Sequence, residues 1–222
     1  MKQILLTCLS AFVGFAVASG CASKSSLIAG KAACCVTNQP VARASITDHS
    51  LYQLDSTWTN DSNQPIKLRS LSGRVQIVAM IFTSCQFACP LIVHDLQRLE
   101  AELPAAVRKQ VGFTLVTFDI ARDTPAVLHD YRQRLQLAAS RWTLLRGFAD
   151  DTLELAALLG IKYKQEASGQ FAHSNLITVL NAQGEIVHQQ IGLNQDISAT
   201  LTAIENAEAA RLASLKQSSK IR

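Results

Sequence analysis

The residues of this chain best suited to chemistry are two thiols four positions apart. They sit in Thr83-Ser84-Cys85-Gln86-Phe87-Ala88-Cys89-Pro90. Ahead of them, Val75 to Phe82 is an apolar run rich in β-branched residues, bounded by Gly73 and Thr83, and it reads as a buried strand. Behind them, Ile92, Leu96, Leu99 and Leu103 recur at helical spacing. Thiols so placed in a first helical turn share one face, and can close on one metal ion or one disulfide. The positive end of the helix dipole favours thiolate, the form that binds metal and attacks disulfides. Pro90 suits an early helical position, where a missing N–H is harmless.

The elements that must hold this turn follow from the rest of the pattern. Leu51 to Trp58 and Ile66 to Leu68 read as a hairpin around Asn60-Asp61-Ser62-Asn63. Val111 to Phe118 reads as a second strong strand. Thr124-Pro125 reads as N-cap and first position of a helix with Leu128, Tyr131 and Leu135 on one side. Trp142 to Leu145 is a short strand. Asp151 with Glu154 has capping-box spacing for a helix ending at Gly160. Leu176 to Leu180 and Glu185 to Ile191 form a hairpin around Asn181-Ala182-Gln183-Gly184. A last amphipathic helix carries Ile197, Leu201 and Ile204 towards Leu215. This order predicts an α/β thioredoxin-like fold with an added N-terminal β-hairpin and an inserted element, its mixed sheet covered on both faces. The cysteine turn then lies at the carboxyl end of a central strand, where open α/β sheets bind ligands.

The chain has 222 residues and a formal charge of +4, too mild and dispersed for nucleic acid. Its apolar content of 48% supports one domain of ordinary size once the ends are set aside. Lys2 followed by the apolar run Ile4 to Ala18 reads as an export signal. Ala18-Ser19-Gly20-Cys21 is similar to a bacterial lipoprotein processing site, with Cys21 the lipidated mature N-terminus. An ordinary cleaved signal and a short uncleaved anchor are the alternatives, and all three place the domain outside the cytoplasm. The expected organisation is signal peptide 1–21, flexible tether 22–48, folded domain 49–216 and polar tail 217–222. The tether carries Cys34-Cys35, read first as an incidental pair and second as auxiliary thiols passing metal or electrons onward. The expected location is the bacterial periplasmic or cell-envelope face, held to the membrane by lipid.

Three stretches together resemble the signatures of the Sco/SenC copper proteins. They are Thr83-Ser84-Cys85…Cys89-Pro90, then Asp119…Asp123-Thr124-Pro125, then His173-Ser174, and the resemblance covers roughly Ser50 to Leu215. It implies a membrane-tethered thioredoxin-fold protein that helps assemble the dinuclear copper centre, CuA, of cytochrome c oxidase. It implies copper, Cu(I) or Cu(II), on Cys85, Cys89 and His173. The partners it implies are the CuA-bearing subunit and a copper donor protein or thiol reductant. The chain departs from the family pattern at Gln86, Ile120 and Ala172, and has no tyrosine after Ser174. None of these removes a ligand, but Ala172 takes away an acidic neighbour of His173.

Two thiolates and one imidazole suit Cu(I), and imidazole also serves Cu(II). Zinc is the chief chemical rival for such a set with an open position. Asp119 and Asp123 are read two ways: as ordinary turn and helix-start residues, or as partner-docking and thiol-tuning groups. Phe87 is read as a docking surface or as core. The competing function is a thiol–disulfide oxidoreductase that keeps acceptor cysteines reduced through Cys85 and Cys89. It needs both thiols but not the imidazole.

Overall fold

A computed structural model describes residues 46–220. The expected signal segment, Cys21, Cys34-Cys35 and all but the end of the expected tether lie outside the described residues. Ser50 opens the fold by capping a 3-10 turn at Leu51–Gln53, its Oγ accepting from the Tyr52 N–H at 3.1 Å. Leu51 and Tyr52 are thereby buried, so the first half of the expected hairpin strand is helical instead. The hairpin itself is β1 (Thr57–Asn60) and β2 (Pro65–Lys67). Asn60 Oδ1 closes its turn by accepting from the Ser62 and Gln64 N–H groups.

There follow β3 (Gln76–Ile81), α1 (Ala88–Glu102), the single turn α2 (Ala105–Arg108), β4 (Gly112–Thr117) and α3 (Pro125–Arg134). Then come β5 (Trp142–Arg146), α4 (Ala149–Leu158), β6 (Tyr163–Gln165), β7 (Phe171–His173), β8 (Leu176–Leu180), β9 (Ile186–Ile191) and α5 (Ser198–Lys220). Seven strands make one sheet in the order β2-β1-β5-β4-β3-β8-β9. β3, β4 and β5 run parallel, and the remaining pairs are antiparallel. Every residue of β3, β4 and β8 is buried. Side chains alternate between faces, so both faces of the sheet centre are covered, as the unbroken apolar runs require. α1 packs on β3 and β8, α3 on β5, and α5 on β8 and β9. α1 turns Ile92, Leu96 and Leu99 inward, each fully buried and each contributing roughly 1.5–3 kcal/mol.

The helix ends show which local signals decided. Thr124 caps α3, its Oγ1 accepting from the Val127 N–H, with Pro125 in the first position. The expected capping box on α4 does not form. α4 starts three residues earlier, after Phe148, and Asp150 and Asp151 fall in its first turn, where carboxylates suit the helix dipole. Gly160 follows its end at φ +72, the left-handed conformation that glycine takes without strain. In the β8–β9 turn Gly184 sits at φ +89, and a Cβ there would lie 2.5 Å from the Tyr52 ring. α5 runs on to Lys220, so residues 217–220 are helical rather than a tail. The domain also begins before residue 49: the Thr47 carbonyl accepts from the Ser50 N–H and Gln53 Nε2, and its hydroxyl donates to Glu185. Among the described residues, no helix is long and apolar enough to cross a membrane.

The inserted element contains a two-stranded ribbon, β6 with β7, separate from the main sheet. Tyr163 pairs with His173 in its register. Strands of three residues carry no readable alternation, so the sequence pattern does not predict the ribbon that carries His173.

Candidate metal centre

β3 ends at Ile81, and the chain turns at once, the Cys85 N–H donating to the Phe82 carbonyl. α1 begins at Ala88, with Phe87 at the cap position and no side-chain cap. The expectation that both cysteines share a first helical turn is therefore corrected. Cys89 is in that turn, while Cys85 stands in the loop before it. The sulfur of Cys85 instead acts where a capping oxygen would, accepting from the Cys89 N–H at 3.4 Å. The sulfur of Cys89 accepts from the Phe82 N–H, also at 3.4 Å. Both are free thiols, Cys85 partly exposed and Cys89 buried.

The helix start does not prevail at Cys89. Burial pushes its thiol far up from the ordinary value, the Phe82 N–H opposes this, and the nearby Cys85 and Asp123 add to the rise. An apo Cys89 is thus a protonated thiol at neutral pH. A bound metal ion would supply the positive charge that lets it ionise.

His173 ends β7 and brings its ring to the sulfurs, with Nε2 3.8 Å from Cys89 Sγ. Its Nδ1 lies 3.1 Å from the Ser174 carbonyl. A carbonyl only accepts, so Nδ1 carries the proton and Nε2 presents its lone pair to the sulfurs. Burial lowers the imidazole pKa, against the hydrogen bond to Ser174, and favours the neutral ligand form. One donor atom from each of Cys85, Cys89 and His173 lies within 4.8 Å of the others. Bonds of about 2.3 Å to sulfur and 2.1 Å to nitrogen, in trigonal array, separate donors by roughly 3.8 Å. The three side chains fit one soft ion after a small contraction.

The imidazole lies among aromatic side chains. His173 lies 5.1 Å from the Phe118 ring and meets Phe82 edge-on at 6.0 Å. Tyr163 stacks on Phe118, and Phe171 packs against both Phe82 and Phe118. A cavity of about 570 Å³ opens over the site, lined by Phe82, Cys85, Gln86, Phe87, Phe171 and His173 among others.

Asp123 is wholly buried. It accepts from the Thr83 N–H and hydroxyl and from the Thr117 hydroxyl. It thereby ties the cysteine loop to the end of β4. Asp119 is also buried and pairs with Arg122. Neither carboxylate has a free face, so the expectation that they dock a basic partner surface is corrected. The tuning half of that expectation has a physical basis in the upward push of Asp123 on Cys89. Phe87 is 81% exposed at the cavity rim, which removes the core reading. The other histidines stand apart from the cluster: His49 and His94 are exposed, His129 contacts Arg132 and His188 contacts Thr200. In the sequence Tyr131 stands out only as sharing one side of its helix with Leu128 and Leu135. Its hydroxyl is buried without a hydrogen-bond partner, and its pKa is raised by burial and by both site cysteines.

The SCO1/SenC family model matches residues 46–207. A candidate copper-binding protein of Stutzerimonas stutzeri is 30% identical over 143 residues, covering 63% of this chain and 68% of that protein. A SCO1/SenC family lipoprotein from Bacillus anthracis superimposes with a TM-score of 0.63 at 22% identity, over 68% of this chain and 92% of its own. Arabidopsis thaliana ScoI, solved with copper bound, gives 0.58 at 18% identity, over 68% and 96%. These structural likenesses show the fold.

Proposed function

The chain belongs to the SCO1/SenC family, and from that premise we propose that it is a membrane-tethered copper carrier. It holds Cu(I) or Cu(II) on Cys85, Cys89 and His173 and helps to assemble the CuA centre of cytochrome c oxidase. The observation that carries this reading is the convergence of two sulfurs and a lone-pair-bearing Nε2 within 4.8 Å. Two soft thiolates and an imidazole match copper, and three ligands leave one position open. The cavity beside Phe87 opens onto Cys85 and His173, and an acceptor would reach a bound ion from there. Acceptor cysteines enter there and displace the donor sulfurs one at a time. Each acceptor thiol gives up its proton as it binds, and each released donor sulfur takes one up. A lipid on Cys21 holds the carrier at the cell-envelope face of the membrane.

A second reading has its own support. Cys85 is partly exposed and Cys89 is buried directly behind it. In that arrangement the Cys85 sulfur attacks an acceptor disulfide, and Cys89 then displaces the acceptor. The acceptor leaves with two thiols, the Cys85–Cys89 disulfide forms, and an external thiol reductant restores it.

The deciding experiment is anaerobic copper titration of the reduced full-length chain in detergent, with Cys34→Ser and Cys35→Ser in every sample. The carrier binds one copper at this site and shows a sulfur-to-Cu(II) charge-transfer band. Both are lost on changing Cys85 or Cys89 to Ser. A chain that binds no copper there, yet reduces acceptor disulfides, is the oxidoreductase.

A further inference from the structure

The three donor atoms come from two separate pieces of the fold. Cys85 and Cys89 belong to the β3–α1 junction, fastened through Thr83 to the buried Asp123. His173 rides on the β6–β7 ribbon, which shares no strand pairing with the main sheet. A two-stranded ribbon is marginal by itself. Its aromatic contacts with Phe82 and Phe118 are apolar and set no fixed register against the sulfurs.

One side chain supplies a directional tie. Arg122 Nε pairs with Asp119, and its Nη2 donates to the Gly169 carbonyl in the ribbon turn at 2.6 Å. Its guanidinium also lies 6.0 Å from the Phe171 ring centroid. Asp119 is itself fixed, its N–H donating to Thr117 Oγ1 and its Oδ1 accepting from the Arg122 N–H. The Thr117 hydroxyl donates to Asp123, which holds the cysteine loop. The thiol pair and the ribbon are thus fastened to the same short segment, residues 117–123.

We infer that Arg122 is a positioning residue that latches the β6–β7 ribbon to the β4–α3 loop and thereby holds His173 against the cysteine pair. Only a planar fork of donors spans a carboxylate, a carbonyl and a ring face at once, so lysine does not replace it. Releasing the latch frees the imidazole while leaving both sulfurs in place.

This inference rests on the reading of His173 as a ligand, and the test separates the two. Full-length Cys34→Ser/Cys35→Ser protein is prepared in detergent, with and without Arg122→Ala, in the His173 and His173→Ala backgrounds. Cu(I) affinity is read by competition with a chromophoric chelator, and amide hydrogen exchange is followed alongside. Outer supports of metal ligands typically carry 10–100-fold in affinity, so Arg122→Ala costs about tenfold or more with His173 present. It costs nothing further in the His173→Ala background. Amides of 163–173 lose protection while those of β3 and β4 keep theirs.

Equal losses in both backgrounds, or unchanged affinity together with an unchanged ribbon, overturn the latch. If His173→Ala alone leaves Cu(I) affinity intact, the ligand assignment fails. The latch is then judged by ribbon exchange alone: retained protection in Arg122→Ala sinks it and lost protection upholds it. If Arg122→Ala exposes the β3 and β4 amides because Asp119 is left buried and unpaired, Asp119→Asn/Arg122→Ala takes its place with the same outcomes.

Discussion

Cys89 Sγ and His173 Nε2 stand 3.8 Å apart across 84 positions of sequence. The sulfur is presented by the first turn of α1 and the nitrogen by the end of β7, so neither element alone makes the site. The ring is oriented from behind by the Ser174 carbonyl, which fixes the proton on Nδ1. A histidine without that partner would divide its lone pair between two tautomers. Here the tautomer that faces the sulfurs is the ligating one.

His173→Ala should therefore separate the two functional readings. Removing a direct ligand costs at least the roughly 100-fold at the upper end of outer-support losses, so Cu(I) affinity falls by that factor or more. Nitrogen coupling disappears from the Cu(II) spectrum, and thiol–disulfide exchange with a small disulfide continues at its original rate. Unchanged copper affinity together with normal oxidase assembly would remove the ligand assignment.

Opposite pKa shifts at the two residues set a pH window for the apo protein. The Cys89 pKa is raised by burial, so the folded chain keeps a proton that the unfolded chain loses above about 8.5. Stability on that account is present below this pH and declines as pH rises past it. The His173 pKa is lowered, so the unfolded imidazole takes up a proton first, below about 6.5. Stability is then lost as pH falls through that range. Urea unfolding of the reduced apo chain should give a plateau between these limits. Cys89→Ala should flatten the alkaline side and His173→Ala the acid side. Copper binding must also expel the Cys89 proton, so affinity should climb about tenfold per pH unit for each proton released. A pH-independent affinity between 6 and 8 would contradict the buried protonated thiol.

The main sheet was legible because its strands are unambiguous. Val75 to Phe82 and Val111 to Phe118 have no polar alternation to confuse with a helix, and Thr124-Pro125 is a complete start signal. The cysteines were legible from spacing, but the position of Cys85 relative to the helix was not. Phe87 offers no capping group, and Cys85 supplies a sulfur in that role, a signal outside the usual capping residues. The ribbon bearing His173 was invisible for a different reason. Its three-residue strands are held by Phe118, Tyr163 and Phe171, contacts that exist only after the chain has folded. Asp119 and Asp123 carried a legible motif with a misleading meaning. Acidic residues in a loop suggest an exposed surface, but Thr83, Thr117 and Arg122 enclose these two.

Asp123 should therefore behave as a structural tie with a chemical consequence. Asp123→Ala leaves the donors of Thr83 and Thr117 without their acceptor and costs about 2–4 kcal/mol in urea unfolding. Asp123→Asn keeps the shape and one acceptor oxygen and should cost less. Both should raise the rate at which a thiol reagent reaches Cys89, because Thr83 no longer holds the loop closed. Wild-type stability and thiol protection in Asp123→Ala would show that the buried hydrogen bonds carry little.

Phe87 calls for the opposite experiment, one that spares the fold. Its ring is 81% exposed and its backbone begins α1 without a side-chain cap, so neither packing nor capping is lost on truncation. Phe87→Ala should change stability by no more than about 0.5 kcal/mol and leave copper affinity as it is. Phe87→Ser should do the same, because the Cys89 N–H already donates to Cys85 Sγ and Pro90 has no N–H for a capping hydroxyl to accept from. An exposed aromatic at the rim of the cavity over the sulfurs is suited to anchor a partner protein. Copper transfer to a purified CuA-bearing domain should therefore slow in both variants, while transfer to a small dithiol chelator, which needs no docking surface, should not. Equal slowing with both acceptors would place Phe87 in the release of copper itself, and no slowing with either would remove it from transfer altogether.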